Sequence, residues 1–424
     1  MTFLKKIGAN ELFKVFSLNG LSVFFKIIIG FITSKIIAVY VGPSGMALVG
    51  NFRNFINIFE SVGLLGFQNG IIKYVAENED DVKKQREFLS TCIISIASIS
   101  VLLSFALYYF SGFISNKLFL NGTEYQLIIV VMSICAPWYI ASLFLINVLN
   151  GFGLYRKVIT VNIFGNILGL ILSVILIINF NTFGALLSIV LAPTLLFFVS
   201  IFYANSVASF LKFSFQSFQF KVVKDLAEYS LMALFSSIIG SYVYLSIRNN
   251  VIENLSFEKA GYWEAITRIS GYYFLFLTTI LTVFFLPKLS KSKNVEETNK
   301  VFWDYFKGII PIFTLVMILL FFSRKFVVPL LFSKEFEPTT SLFFWQLIGD
   351  VFKAVSLILG YQFFAKKLTT AFIFTETFSL LILYSTSIFF TSIFDIEGIV
   401  IAHASTYFAY LMVLVIYFRK TIFI

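Results

Sequence analysis

Residues 41–55 read VGPSGMALVGNFRNF, in which a Gly-Pro turn ends one long apolar run and a second apolar run begins at once. The first run extends from about Leu12 to Tyr40, and the second contains Arg53. Each is long enough to cross roughly 30 Å of hydrocarbon as an α-helix that rises about 1.5 Å per residue. The stretch therefore predicts a hairpin of two membrane helices with a charged side chain inside the second.

The composition of the whole chain excludes the soluble globular class. Of its 424 residues, 59% are hydrophobic and 13% are charged, and the mean hydropathy is +0.91. Soluble domains do not reach such values. The apolar runs are also longer than the alternating strands of roughly 10 residues that form a membrane β-barrel. The expected fold class is an all-α polytopic membrane protein.

Apolar runs and the breaks between them predict twelve transmembrane helices. Their centres lie near residues 26, 60, 100, 137, 167, 192, 238, 272, 311, 352, 380 and 408. No connection between them is long enough to form a separate domain.

The net charge of +10 comes from basic residues in short connections, which form no continuous patch of the kind that binds nucleic acid. If the N-terminus is cytoplasmic, most of these residues fall on the cytoplasmic side. The positive-inside rule then predicts an even number of spans and places both termini in the cytoplasm.

The chain resembles itself at an offset of roughly 210 residues. The recurring elements include a glycine followed by an arginine: Gly45 and Arg53 in the second span, Gly261 and Arg268 in the eighth. A tryptophan followed by a basic pair recurs in the fourth and tenth spans. The repeat predicts two six-helix bundles, residues 1–210 and 211–424, related by an axis along the membrane normal, as in some transporters.

Two predicted spans carry an arginine and a carboxylate on one helical face. The stripes contain Arg53, Asn57 and Glu60 in the second span, and Glu264, Arg268 and Tyr272 in the eighth. Steps of three, four and seven residues return to nearly the same side of a helix, so each set shares one face.

Other predicted spans also contain ionisable residues. Asp350 and Lys353 share a face of the tenth span, Lys26 lies near the middle of the first, and Glu376 lies in the eleventh. Lys35 and Arg248 lie nearer the outer ends of their spans, where they serve either as interfacial anchors or as part of a cavity. His403, the single histidine, is expected to be a packed core residue, with proton coupling as the alternative.

An ionised side chain at the centre of a bilayer costs roughly 3 kcal/mol, so such residues face a water-filled cavity or each other. One interpretation is structural: Arg53 with Glu60, and Asp350 with Lys353, are ion pairs that fix helix packing. The other is functional, because Lys26, Arg53 and Arg268 exceed the nearby acids. A cavity with net positive charge suits an anionic ligand, and the guanidinium fork matches phosphate oxygens.

The sequence contains no motif for catalysis or for a metal. A nucleophile with its base, a phosphate loop and a metal-ligand cluster are all missing, so a transporter is favoured over an enzyme, and no cofactor is expected. Glu60, Asp350 and Glu376 are the candidate carboxylates for coupling transport to an ion gradient.

Three stretches carry a resemblance to a known family. They are KIIAVYVGPSGMALVGNFRNF at residues 35–55, IIKYVAE at 71–77 and FFWQLIGDVFKAVSLILGYQFFAK at 343–366. They resemble Wzx-type flippases of bacterial O-antigen and enterobacterial common antigen assembly. That family belongs to the multidrug, oligosaccharidyl-lipid and polysaccharide (MOP) exporter superfamily. The most specific features are Gly-Pro-x-Gly followed by Asn-Phe-Arg, and Trp-Gln-x-x-Gly-Asp-x-x-Lys.

The resemblance implies two MATE-like six-helix bundles around a central cavity lined largely by the first, second, seventh and eighth helices. It implies a transporter that moves undecaprenyl-pyrophosphate carrying an oligosaccharide repeat unit from the cytoplasmic to the periplasmic leaflet of the inner membrane. Lys26, Arg53 and Arg268 match cavity-lining cations, and Asp350 and Lys353 match the motif of the tenth helix. Expected partners are this lipid, the bilayer, a coupling H⁺ or Na⁺ and other polysaccharide assembly proteins, without nucleic acid.

Three rival functions remain at this stage. A multidrug exporter of the same superfamily would favour acidic and aromatic cavity residues for cationic drugs, which the excess of lysine and arginine disfavours. A membrane-embedded polymerase or glycosyltransferase would form lipid-linked sugar products when purified. A flippase for a peptidoglycan lipid precursor would be distinguished only by testing substrates.

Overall fold

A computed structural model describes residues 9–78, 81–120, 123–211 and 214–423, with side chains described from residue 23 onward except at 228 and 229. Within these residues the secondary structure consists of helices and short turns, without a β-strand. The first seven α-helices are α1 (Ala9–Tyr40), α2 (Gly42–Gly63), α3 (Gln68–Glu77), α4 (Val82–Tyr109), α5 (Ser111–Phe119), α6 (Gln126–Gly151) and α7 (Tyr155–Ala204). The remaining ones are α8 (Phe220–Phe235), α9 (Ser241–Asn254), α10 (Phe257–Ile280), α11 (Leu286–Lys291), α12 (Val295–Leu331), α13 (Thr339–Ala365), α14 (Thr369–Phe394), α15 (Glu397–Tyr417) and α16 (Arg419–Ile422).

In the described part of the chain, 11 helical stretches are long and apolar enough to cross a membrane. The longest contains α7, which is interrupted at Asn181, where φ is 48° and ψ is −126°. The helical segments on the two sides of this break, 155–180 and 182–204, are each longer than the roughly 20 residues that a span requires. The all-α polytopic prediction is confirmed, and the chain is a multi-pass membrane protein. The count of twelve spans stays a prediction, supported by the break at Asn181.

The predicted centres agree closely with these helices. Every predicted centre except that near residue 238 lies inside an α-helix. Residue 238 lies in a π-helical turn, Ser236–Gly240, which joins α8 to α9, and a second such turn, Leu281–Phe285, joins α10 to α11. Turns of this kind widen a helix locally and often occur near functional sites.

The Gly-Pro turn forms the hairpin that the sequence predicts. Helix α1 ends at Tyr40, Gly42 adopts a positive φ of 70°, and Pro43 lies in the first turn of α2. Glycine adopts this φ without the steric cost that a side chain would bring. Proline suits the first helical turn because its missing N–H would have no partner there.

Packing divides the chain into two compact units. Unit 1 combines Met1–Tyr40 with Phe52–Ile238, and unit 2 combines Val41–Asn51 with Ile239–Ile424. The first turns of α2 therefore pack with unit 2, whereas the rest of this helix packs with unit 1. A Cβ at Gly261 of α10 would overlap the backbone carbonyl of Pro43, which shows how closely these two helices approach each other in unit 2. The predicted division into 1–210 and 211–424 describes a repeat rather than packing, and it stays a prediction.

Within unit 1, α4 holds the polar connection that follows α7. Ser90 Oγ donates a hydrogen bond to the carbonyl of Ser214 (2.9 Å) and accepts one from its N–H (2.8 Å). The N–H of Gln219 donates to Thr91 Oγ1 (3.0 Å), and its side-chain amide donates to Glu87 Oε2 (2.7 Å). The start of α8 is therefore fixed against the first turns of α4.

Candidate functional site

The predicted site residues fall into both units. Unit 1 contains Lys26, Lys35, Arg53, Asn57 and Glu60, and unit 2 contains Arg248, Glu264, Arg268, Tyr272, Asp350, Lys353 and Glu376. Contacts within unit 2 gather most of its predicted residues into two buried clusters.

The first cluster is a buried ion triad in which two arginines share one carboxylate. Arg248 Nη2 of α9 lies 2.7 Å from Glu264 Oε2, and Arg268 Nε lies 2.9 Å from Glu264 Oε1. The three residues are only 2%, 5% and 6% exposed. The Arg248 guanidinium also lies 5.0 Å from the centre of the Trp263 ring, a cation–π contact. The triad carries a formal net charge of one positive unit.

The start of α2 closes over this triad. A Cβ at Gly50 would overlap both the Glu264 carboxylate and the Arg248 guanidinium, so only glycine fits here without a shift. Asn51 Nδ2 donates to Asn249 Oδ1 (2.7 Å), and Arg248 Nη1 makes a long contact of 3.5 Å with Asn51 Oδ1. Sequence reasoning missed Gly50, Asn51 and Asn249. The available signal was the Gly-Asn pair at positions 50 and 51, inside residues 41–55.

The second cluster surrounds Asp350, which is fully buried. Its carboxylate accepts hydrogen bonds from Ser270 Oγ (2.7 Å), from the Tyr273 hydroxyl and from the Gln346 amide (3.2 Å). His403 Nε2 lies 2.9 Å from Asp350 Oδ1. Ser270 and Tyr273 belong to α10, Gln346 to α13 and His403 to α15, so one carboxylate connects three helices.

Lys353 lies one turn beyond Asp350 but contacts aromatic rings. Its Nζ is 4.7 Å from the centre of the Phe274 ring and 5.2 Å from that of Tyr407. His403 contacts the Asp350 carboxylate, and Lys353 also interacts with that carboxylate electrostatically. The ion pair of Asp350 with Lys353 stays a prediction. The sequence predicts a packed core position for His403 but carries no signal for its contact with Asp350.

In unit 1 the stripe of α2 is more open. Arg53 and Asn57 have exposed side chains, and Glu60 is half-buried. The Tyr139 hydroxyl donates to Glu60 Oε1 (2.6 Å), and Lys26, itself exposed, is close enough to interact electrostatically with this carboxylate. Tyr139 was missed because its helix, α6, carries no charge in the predicted span.

The remaining predicted residues are partly accessible. Lys35 in α1, Tyr272 in α10 and Glu376 in α14 are all half-buried. Glu376 interacts electrostatically with Tyr407 and Tyr410 of α15. Among the described residues, no group of His, Cys, Asp and Glu side chains is placed to hold a metal ion. The clusters of unit 2 therefore offer paired guanidinium groups and buried carboxylates.

Comparison with known families shows where this arrangement belongs. A family model described as "Polysaccharide biosynthesis protein" matches residues 12–293. The chain belongs to the polysaccharide biosynthesis protein family. Among curated relatives, it is 26% identical over 312 residues to the "Lipid III flippase" of Escherichia coli (strain K12), which covers 73% of this chain and 75% of that protein. The Lipid III flippase of Shigella flexneri matches to the same extent.

Solved structures confirm the fold. An inward-facing MATE family multidrug transporter of the MOP superfamily aligns with a TM-score of 0.78 at 14% identity, covering 93% of this chain and 94% of that one. "Lipid II flippase MurJ, inward closed conformation" aligns with a TM-score of 0.71 at 16% identity, covering 94% and 87%. The MATE-like fold predicted from the sequence motifs is therefore confirmed.

The residues that match the polysaccharide biosynthesis family model cover the two clusters of unit 2 to different extents. Residues 12–293 include the stripe of α2, Gly50 and the whole Arg248, Glu264 and Arg268 triad. Asp350 and His403 lie beyond the matched residues. The match thus includes the whole triad, the stripe of α2 and, from the Asp350 cluster, Ser270 and Tyr273.

Proposed function

We propose that this family member is a flippase for undecaprenyl-pyrophosphate-linked oligosaccharide repeat units of O-antigen or a related surface polysaccharide. It moves each unit from the cytoplasmic to the periplasmic leaflet of the bacterial inner membrane by alternating access. The observation that carries the proposal is the pair of arginines held by one buried carboxylate. The curated relatives, which are named Lipid III flippases, support the same function.

The triad explains how a chain this apolar keeps phosphate-binding groups ready. Glu264 occupies the hydrogen-bonding positions of Arg248 and Arg268 that an anionic ligand would use. Breaking a buried ion pair without replacement costs roughly 3–5 kcal/mol, so the arginines stay paired until another anion is present. A diphosphate offers more oxygens than one carboxylate and binds guanidinium groups through paired hydrogen bonds, so it can take the place of Glu264.

The exposed residues of the α2 stripe, together with Lys26 of α1, supply the first contact with the headgroup of the lipid. Lys26, Arg53 and Asn57 all have exposed side chains. Lysine and arginine attract the diphosphate, and the asparagine amide offers hydrogen bonds to sugar or phosphate oxygens. Lys35 is a further candidate of unit 1 for binding the headgroup, and Tyr272 and Glu376 are further candidates of unit 2. The polyprenyl tail, which is apolar, stays in the lipid.

The membrane arrangement forms part of the proposal. Twelve spans in two repeated bundles, residues 1–210 and 211–424, place both termini in the cytoplasm. The break at Asn181 and the distribution of basic residues support this topology. Transport in one direction needs an energy source. Either the membrane potential or a proton or sodium gradient supplies it. One elementary charge that crosses about 100 mV contributes about 2.3 kcal/mol. Glu60, Asp350 and Glu376 are the candidate carboxylates for coupling to a gradient.

The rival functions receive less support. The named curated relatives are flippases rather than polymerases, glycosyltransferases or drug exporters. The likeness to MATE transporters is a likeness of fold, since the identities are near one residue in seven. Contact with other polysaccharide assembly proteins follows from the proposed role.

Complementation provides the direct test. Strains that each lack one defined flippase should regain surface polysaccharide when they express this chain. Arg268→Ala should lower that rescue at least tenfold. The diphosphate loses the hydrogen bonds of one guanidinium group, which are worth about 1.5–3 kcal/mol. Lys259→Ala is the matched control, because Lys259 forms an exposed pair with Asp395 outside both clusters. Full rescue by Arg268→Ala, at equal membrane abundance, would contradict the proposal.

A further inference from the structure

Unit 1 contains a polar pocket of about 280 Å³ that is separate from the charged residues of the α2 stripe. Its walls come from the end of α3, the first turns of α4 and the start of α8. The side chains that line it include Tyr74, Asn78, Glu87, Phe88, Gln219 and Asp225. Sites for small molecules usually occupy roughly 300–1,000 Å³, so this pocket suits a ligand of about one or two sugar rings.

Contacts between the three walls fix the shape of the pocket. The buried Gln85 amide of α4 donates to the carbonyl of Val75 in α3 (3.2 Å). A Cβ at Gly70 of α3 would overlap the Leu226 side chain of α8, so these two helices approach each other closely. Hydrogen bonds from α4 to the connection that precedes α8 join the other two walls. A pocket formed in advance lowers the ordering cost of binding.

The charges of the lining favour a neutral ligand over a phosphate. The lining contains the carboxylates of Glu87 and Asp225 and one ammonium group, that of Lys84, which gives a formal net charge of one negative unit. The ammonium group also lies 3.2 Å from Asp81 Oδ2. Excess negative charge repels the phosphate groups of a nucleotide or a lipid headgroup.

The polar side chains of the lining match the hydroxyl groups of a sugar. A hydroxyl group donates one hydrogen bond and accepts others, so it needs acceptors and donors side by side. Glu87 and Asp225 offer carboxylate acceptors, and the amides of Asn78 and Gln219 offer both kinds of group. Glu87 already accepts a hydrogen bond from the Gln219 amide (2.7 Å), which sets these two side chains next to each other.

The aromatic side chains of the lining match the apolar faces of a sugar ring. The ring centres of Tyr74 and Phe88 are 5.5 Å apart. Phe88 is buried, whereas Tyr74 is half-buried. An aromatic ring covers the C–H face of a sugar while the sugar hydroxyls stay hydrogen-bonded around its edge.

We propose that this pocket binds one or two sugar rings of the oligosaccharide and thereby selects the glycan that is carried. This role rests on the proposed flippase function and on its topology, in which the exposed basic residues Lys83, Arg86 and Lys221 mark the cytoplasmic side. The substrate then contacts unit 1 twice before it crosses the membrane: its diphosphate at Arg53 and its sugars at Asp225.

The first experiment tests sugar binding without any lipid substrate. Protein in nanodiscs is mixed with free glucose, galactose, mannose, rhamnose or N-acetylglucosamine, and saturation-transfer difference NMR detects the bound sugar. At least one sugar should receive saturation. Asp225→Ala should weaken its binding at least tenfold, because a charged hydrogen-bond acceptor is lost. Asp304→Ala, which removes an exposed aspartate of unit 2, is the matched control and should bind like the wild type.

Asp225→Asn covers the case in which Asp225→Ala does not fold. It keeps the size of the side chain and one oxygen acceptor, so it should weaken binding by a smaller factor in the same direction. Saturation of none of these sugars, or equal binding by the wild type and Asp225→Asn, would overturn the proposal.

The second experiment compares binding of undecaprenyl pyrophosphate with and without its oligosaccharide. Asp225→Ala should bind the glycosylated lipid at least tenfold more weakly and the bare lipid as tightly as the wild type, whereas Arg53→Ala should weaken both. An equal loss for both lipids in Asp225→Ala would overturn the sugar site. Protein that binds free sugar through Asp225 but restores polysaccharide in no strain would contradict the flippase function and leave the sugar site standing. Protein that restores polysaccharide but binds no sugar would do the reverse.

Discussion

The stripes of α2 and α10 contain the same residue types but differ in how they are neutralised. In α10, Glu264 and Arg268 are four residues apart and form a buried pair, which Arg248 of α9 joins. In α2, Arg53 and Glu60 are seven residues apart, Arg53 has an exposed side chain, and Glu60 accepts a hydrogen bond from Tyr139. The α10 stripe is therefore closed around an internal anion, whereas the α2 stripe holds an arginine whose side chain is exposed.

The difference follows from spacing and from the neighbouring helices. Side chains four residues apart on a helix meet directly, whereas those seven residues apart are separated by two turns. Around α10, the neighbouring Arg248 and the absence of a side chain at Gly50 let the three charged groups come together in a buried position. Around α2, a tyrosine hydroxyl takes the place of a second arginine. The buried α10 stripe suits guanidinium groups that stay paired until a ligand arrives. The exposed α2 stripe suits the first contact with that ligand.

The largest expected effect comes from Glu264→Gln. This change leaves two buried arginines without their counter-ion, so the free energy of unfolding should fall by roughly 3–5 kcal/mol. Glu60→Gln is the matched control in the open stripe. It keeps a hydrogen-bond acceptor for Tyr139, so the cost should be about 1 kcal/mol. Thermal unfolding of the purified proteins in detergent measures both. Equal costs would show that the two stripes do not differ in burial as described.

Gly50→Ala should produce the next largest effect, because the new methyl group overlaps the Glu264 carboxylate and the Arg248 guanidinium. Overpacking of this kind costs about 1–3 kcal/mol. Gly271→Ala is the control on α10 itself, since a Cβ there meets nothing within 4 Å. Alanine is the better helix former, so this variant should be neutral or up to about 1 kcal/mol more stable. The same melting experiment compares them, and a stable Gly50→Ala would argue against a closed triad.

The sequence predicted the stripes correctly but not their state. Helical periodicity placed Glu264 and Arg268 on one face, because a period of 3.6 residues is a property of a single helix. The spacing of the apolar runs and the Gly-Pro turn predicted the membrane spans, because these too are properties of a local stretch of the chain. The partners that decide burial, Arg248 on the triad, Tyr139 on Glu60 and His403 on Asp350, all come from other helices. Contacts between helices depend on tertiary packing, which a single sequence does not encode as a local pattern.

Arg53→Ala should have the smallest effect on stability. It tests the difference between the α2 and α10 stripes most directly. The Arg53 side chain is exposed, and surface substitutions usually change stability by less than about 0.5 kcal/mol. Arg268→Ala, by comparison, removes one member of a buried triad and should lower the melting temperature measurably. If Arg53 makes the first contact with the diphosphate, its variant should melt like the wild type and yet bind the lipid-linked substrate at least tenfold more weakly. A binding assay with the purified variants, read beside their melting curves, separates the two roles. Wild-type binding by Arg53→Ala would assign capture to another cation, with Lys26 as the nearest candidate in the same unit, because it already interacts with Glu60.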